Sequence, residues 1–169
     1  MPMKPVNVED YRIRAQRHLP KTIFEYLEGG ADDEIGIKHN RKVFQHHQLM
    51  PRRLVDVSKR NTGIELFGPH QAAPFMIGPT GLNSALWPKG DILLAHVPNG
   101  IPFVLSTASK AYIEEVAAAS KGDLWFQLYI VQRKLAEQMV SRAEASGYPT
   151  FVLTTDVGVN GATGLACGG

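Results

Sequence analysis

Cysteine is all but missing from these 169 residues, and Cys167 stands alone. One thiol excludes an internal disulfide framework and any zinc site built on paired cysteines. No apolar run approaches the roughly 18 residues of a membrane span. The opening Met-Pro-Met-Lys-Pro-Val-Asn also lacks the apolar stretch of a signal peptide. Charge of one sign is lacking too. The 18 basic and 16 acidic side chains leave a formal +2 with no basic block, so nucleic acid is not an expected partner. A reduced, cytoplasmic compartment is the expectation. What the chain does have is 44% hydrophobic residues against 20% charged, which excludes a wholly disordered chain and suits one domain.

The first third reads as helical. Asn7 can cap a helix from Val8, and Pro20 can open a second helix that Gly29-Gly30 ends. Asp32 or Asp33 is expected to cap a third, with Ile37, Val43 and Phe44 as its apolar members. From Leu49 to Gly68 the pattern is shorter and β-like, a strand or hairpin broken by Pro51, Asn61 and Gly63. Residues 1–70 thus form a lead-in. From Phe75 onward, short apolar runs begin at 75, 102, 124 and 151, and helical patterns lie between them at 88–97, 111–120 and 132–146. Continuous apolar runs suit strands buried on both faces of a parallel sheet. The cadence predicts an α/β fold: four parallel strands in the order 1-2-3-4 over residues 71–157, the N-terminal half of an eight-fold βα barrel, which takes about 250 residues. The tail at 158–169 is glycine-rich, with no helix to complete a fourth unit, so the fold is expected to stop midway.

In a βα barrel, chemistry gathers at the C-terminal ends of the strands. Those ends carry Pro79-Thr80-Gly81, Ser106-Thr107, Gln127 with Tyr129, and Thr154-Thr155-Asp156. Hydroxyls, an amide, a phenol and one carboxylate suit a flat heteroaromatic cofactor and an oxygen-rich substrate. From spacing alone, a ligand rim and a set of loop-satisfying polar groups both remain open.

Five ordered blocks decide between them. They are Tyr26-Leu27-Glu28-Gly29-Gly30-Ala31-Asp32-Asp33-Glu34, Ile77-Gly78-Pro79-Thr80-Gly81-Leu82, Pro102-Phe103-Val104-Leu105-Ser106-Thr107-Ala108-Ser109, Trp125-Phe126-Gln127-Leu128-Tyr129 and Leu153-Thr154-Thr155-Asp156. With them the chain resembles the FMN-dependent 2-hydroxy-acid dehydrogenases and oxidases from about Asn7 to Gly161. The run Gly81-Leu82-Asn83-Ser84-Ala85-Leu86-Trp87-Pro88-Lys89-Gly90-Asp91 is most similar to the family's mandelate-oxidising branch. The resemblance implies FMN as cofactor and a small (S)-2-hydroxy acid, mandelate- or lactate-like, as substrate, with a 2-oxo acid as product. By position it implies that Tyr26 and Tyr129 donate to the substrate carboxylate. Pro79, Thr80 and Gly81 would lie along the flavin ring, with Ser106, Gln127 and Thr154 hydrogen-bonding it. Asp156 matches the carboxylate that orients the family's catalytic histidine. Gly81, where oxidases usually carry alanine, implies an electron acceptor other than oxygen, its identity open. Full-length relatives imply peripheral association with the inner membrane.

The departures carry equal weight. The family's catalytic histidine, its substrate-binding arginine, the lysine near the flavin and the phosphate-binding loops match no residue of this chain. The 169 residues alone are therefore expected to be inactive. The helix at 88–97 is about two residues short by the same comparison, and Pro98 would end it early. No metal site is expected, since His39, His46 and His47 lack ligand spacing. Two other readings stay open: a non-catalytic half-barrel that self-associates as a homo-oligomer through open strand edges, and a phosphate loop at 158–164.

Overall fold

The computed structural model describes residues 4–96 and 100–156. The 158–164 loop, Pro98, Cys167 and the rest of the glycine-rich tail lie outside them. The described residues divide into two compact units, one reaching Val55 and one starting at Asp56.

The first unit is helical. Helix α1, Val8–His18, is capped by the Asn7 side chain, which accepts the Asp10 N–H at 2.9 Å. Helix α2, Lys21–Glu28, follows Pro20 and ends at Gly29, and Arg12 ties α1 to it through Glu28 at 2.9 Å. Helix α3, Ile35–Val43, departs from expectation, because it starts after Glu34 in the left-handed region at φ 57° and no side chain caps it. Glu34 instead donates its backbone N–H to the Ala31 carbonyl at 3.0 Å, a turn that carries the chain past Asp32 and Asp33. Phe44 opens a separate 3-10 turn, Phe44–His46.

The second unit begins with an antiparallel hairpin, β1 (Ile64–Glu65) and β2 (His70–Gln71). Its first strand falls inside the β-like stretch, past Pro51, Asn61 and Gly63, while its second lies beyond Gly68. The main element is a parallel sheet of β3 (Phe103–Ser106), β4 (Leu124–Tyr129) and β5 (Thr150–Thr154), in that order. Three strands are formed among the described residues, not four. The run at 75–78 contributes one parallel bridge, Ile77 to Phe103, with the Ile77 N–H donating to the Pro102 carbonyl and the Ile77 carbonyl accepting from the Val104 N–H. Pro74 and Pro79 bracket the run, and neither has an N–H to extend a ladder. Its Phe75 is 64% exposed, so burial on both faces holds only for the inner strands.

Helices α4 (Asn83–Leu86), α5 (Gly90–His96), α6 (Ile113–Ala119) and α7 (Arg133–Ala145) fill the intervals. Gly147 stops α7 region at φ 87°, a conformation a side chain would resist. Side chains alternate across the sheet. Phe103, Leu105, Leu124, Phe126 and Leu128 pack on Ile113 and Val116 of α6 and on Ala136 and Ala143 of α7. Val104, Ser106, Trp125 and Gln127 therefore form the other face, where Phe67 of the hairpin turn meets Trp125 at 5.5 Å.

Arg142 of α7 holds Glu114 of α6 through two bonds of 2.8 Å. This guanidinium, then a backbone hydrogen bond, lowers the Glu114 carboxyl from 4.5 to about 2. A carboxylate so held adds stability in full above 4.5 that is lost as pH falls through about 2. Glu114→Gln is expected to be less stable than wild type at neutral pH, with the gap closing across that window in urea denaturation. The pair is exposed, so the gap is modest. A gap independent of pH would contradict the pairing.

Candidate functional site

Strand alternation brings the polar ends of three strands to one rim. Ser106 of β3 lies opposite Gln127 of β4, and Tyr129 lies opposite Thr154 of β5. Gln127 is the hub and is almost fully buried. Its Oε1 accepts from Ser106 Oγ at 3.1 Å and from the Thr107 N–H at 3.2 Å. Its Nε2 donates to Thr154 Oγ1 at 2.7 Å. Thr154 is two residues beyond Gln127's direct partner Val152, a diagonal that a long amide side chain can span.

Thr107 closes the layer. Its hydroxyl donates to the Gln127 carbonyl and accepts the Tyr129 N–H at 3.1 Å. An open cleft of about 510 Å³ lies beside this layer, lined by Thr107, Ala108, Tyr129, Ile130, Thr154 and Thr155 among others. The turn at Pro79-Thr80-Gly81 joins the same rim from the first βα unit, for the Leu82 N–H donates to the Ala108 carbonyl at 3.3 Å.

Gly81 is tight in one direction. A Cβ there would stand 3.0 Å from Ala108 Cβ, so alanine would need the two loops to part by a few tenths of an ångström. Asp156 follows β5 and is exposed. Tyr26 lies on α2 of the first unit and is 65% exposed. The structure thus joins Ser106, Gln127, Tyr129 and Thr154 on adjacent strands, with the 79–81 turn beside them.

A model of the FMN-dependent dehydrogenases matches residues 15–164 of this sequence. The chain belongs to that family. The match reaches into the glycine-rich tail, three residues past the resemblance seen in the motifs. Among curated relatives, the (S)-mandelate dehydrogenase of Pseudomonas putida is 59% identical over 157 residues, covering 92% of this chain and 40% of that protein. An L-lactate dehydrogenase of Yersinia pestis is 40% identical, covering 90% of this chain and 41% of its own length. Among solved structures, a monotopic membrane (S)-mandelate dehydrogenase superposes with TM-score 0.89 at 56% identity, covering 95% of this chain and 44% of that one. The chain therefore spans about two fifths of the curated relatives it matches. No helix among the described residues is long and apolar enough to cross a membrane.

FMN is the cofactor of this family, and the donor set fits the ring of that group. The rim offers an amide and hydroxyls that both donate and accept, as the alternating carbonyls and N–H of a flavin's pyrimidine edge require. Three residues of this family member escape a reading of strand ends alone. Asn83, Asp91 and Ser109 connect the rim loops from behind, and Asp91 is fully buried. A signal was present in the helix pattern: Asp91 stands four residues before the core residue Ala95, on the same face of α5.

Proposed function

We propose that this chain supplies the flavin-ring face and part of the substrate site of an FMN-dependent oxidoreductase that converts an (S)-2-hydroxy acid, mandelate- or lactate-like, to the 2-oxo acid. The observation that carries it is the Ser106–Gln127–Thr154 layer at the strand ends, flanked by the 79–81 turn. Bound FMN supplies the two-electron acceptor. Pro79, Thr80 and Gly81 line the ring, while Ser106, Gln127 and Thr154 hydrogen-bond its edge. The phenols of Tyr129 and Tyr26 receive the substrate carboxylate as hydrogen-bond donors. Asp156 orients a histidine that this chain does not supply. The sheet and its helices are half of an eight-fold barrel, and Gly81 directs electrons to an acceptor other than oxygen. Relatives described as membrane-associated support a peripheral membrane location.

The test separates the two contact sets. Flavin fluorescence titration of the chain should saturate near millimolar FMN. Thr154→Val should weaken FMN about two- to tenfold, the value of one hydrogen bond, and Tyr129→Phe should leave it unchanged. Tyr129→Phe should instead weaken mandelate binding to the FMN-loaded chain. The reverse assignment would overturn the proposal.

One observation favours a second reading, a self-associating half-barrel. Among the described residues β5 pairs on one side only, and Leu153, Ile130 and Val131 are 53%, 61% and 78% exposed. Open edges and apolar patches promote association. Light scattering at tens of micromolar should show oligomers, and a clean monomer would contradict it.

A further inference from the structure

Asp91 has no part in the contacts proposed above, yet it is fully buried and both its oxygens are engaged. Oδ1 accepts from Asn83 Nδ2 at 2.7 Å and Oδ2 accepts from Ser109 Oγ at 2.7 Å. Neither partner is on α5. Asn83 Nδ2 also donates to the Thr80 carbonyl at 3.0 Å, inside the 79–81 turn. Ser109 Oγ accepts the Ala111 N–H at 3.0 Å, in the loop after β3. One carboxylate therefore joins the two segments that face each other at Gly81 and Ala108, where a Cβ on Gly81 would stand 3.0 Å from Ala108 Cβ. Gly90 keeps the arrangement compact, since a Cβ there would meet the Asn83 carbonyl oxygen at 2.8 Å.

We propose that Asp91 is a positioning residue that fixes the gap between the Thr80–Gly81 turn and the Ala108 loop, and thereby the shape of the flavin-ring cradle. The proposal deepens the reading of the rim and rests on it. A side chain that only anchored α5 would find its partners within α5 or the core. Asp91 finds them at the start of α4 and in the loop after β3, through side chains that each hold a loop backbone group. Removing the carboxylate should loosen the loops ahead of the sheet.

The experiment compares amide exchange by NMR in the wild-type chain, Asp91→Asn, Asp91→Ala and Ser109→Ala. The reporter is the Leu82 N–H, which bridges to Ala108, and the controls are the β4 amides. Asp91→Ala should speed exchange at Leu82 by about tenfold more than at β4, because local opening separates from global unfolding. Asp91→Asn keeps an acceptor for Asn83 and should fall between Asp91→Ala and wild type. FMN affinity by fluorescence should follow the same order. Equal acceleration at Leu82 and β4 would overturn the proposal, as would an unchanged Leu82. If Asp91→Ala fails to fold, Asp91→Asn and Ser109→Ala carry the same comparison. FMN without effect on any wild-type rim amide would instead defeat the rim reading, while the Leu82-to-β4 contrast would still decide whether Asp91 sets the gap.

Discussion

Given excess FMN and (S)-mandelate without oxygen, the 169-residue chain is expected to leave the flavin yellow. Among the described residues of the second unit, the rim holds hydroxyls, an amide, a phenol and a carboxylate, but no imidazole. Both histidines of the second unit sit at the other end of the sheet. His70 lies in the hairpin, whose Gln71 bonds Asp123 just before β4. His96 lies beside the carbonyl of Ala119, where α6 ends before β4 begins. A positioned general base is worth about 10²–10⁴ in rate. Orientation of the substrate carboxylate by a cationic partner would add further orders of magnitude, and such losses on one step need not add. Bleaching that is catalytic in protein and abolished by Tyr129→Phe would show that the chain carries its own base.

Gln127→Leu is expected to produce the largest loss of both stability and FMN affinity from a single rim substitution. Leucine fills a similar volume but cannot accept from Ser106 Oγ or donate to Thr154 Oγ1. The layer is buried, so water does not readily replace the lost partners. Each orphaned polar group costs about 1–3 kcal/mol, and small rotations of two hydroxyls recover part of it, leaving a net loss of about 2–3 kcal/mol. The measurement is urea denaturation, with the midpoint falling at constant slope. Gln127→Glu distinguishes packing from polarity, because it keeps acceptors and loses the donor to Thr154. A Gln127→Leu chain as stable as wild type would mean that the layer is incidental.

Much of the second unit was legible in the sequence because its signals are local. The apolar runs beginning at 102, 124 and 151 became the strands Phe103–Ser106, Leu124–Tyr129 and Thr150–Thr154, and Gly147 ended α7 where a left-handed residue was needed. The run at 75–78 looked equivalent, yet it forms only one bridge. Its flanking prolines remove ladder donors, and a hydrophobicity pattern does not count hydrogen bonds. In the first unit Asp32 and Asp33 are good caps by type, but a left-handed Glu34 moved the helix start beyond them. At the rim, the strand-end residues could be found from alternation together with the motifs. The Asn83–Asp91–Ser109 support is legible only in part: the helix pattern puts Asp91 on the face of Ala95, but its partners lie on separate elements.

The C-terminal rim of β3–β5 is expected to receive the flavin ring. Backbone amide shifts followed by NMR during an FMN titration test it most directly. Saturable shifts are expected at 80–82, 107–108, 127–129 and 154–155, with the hairpin at 64–71 unmoved. Shifts centred on the hairpin or the N-terminal ends of the strands, or none at the rim at about millimolar FMN, would contradict it.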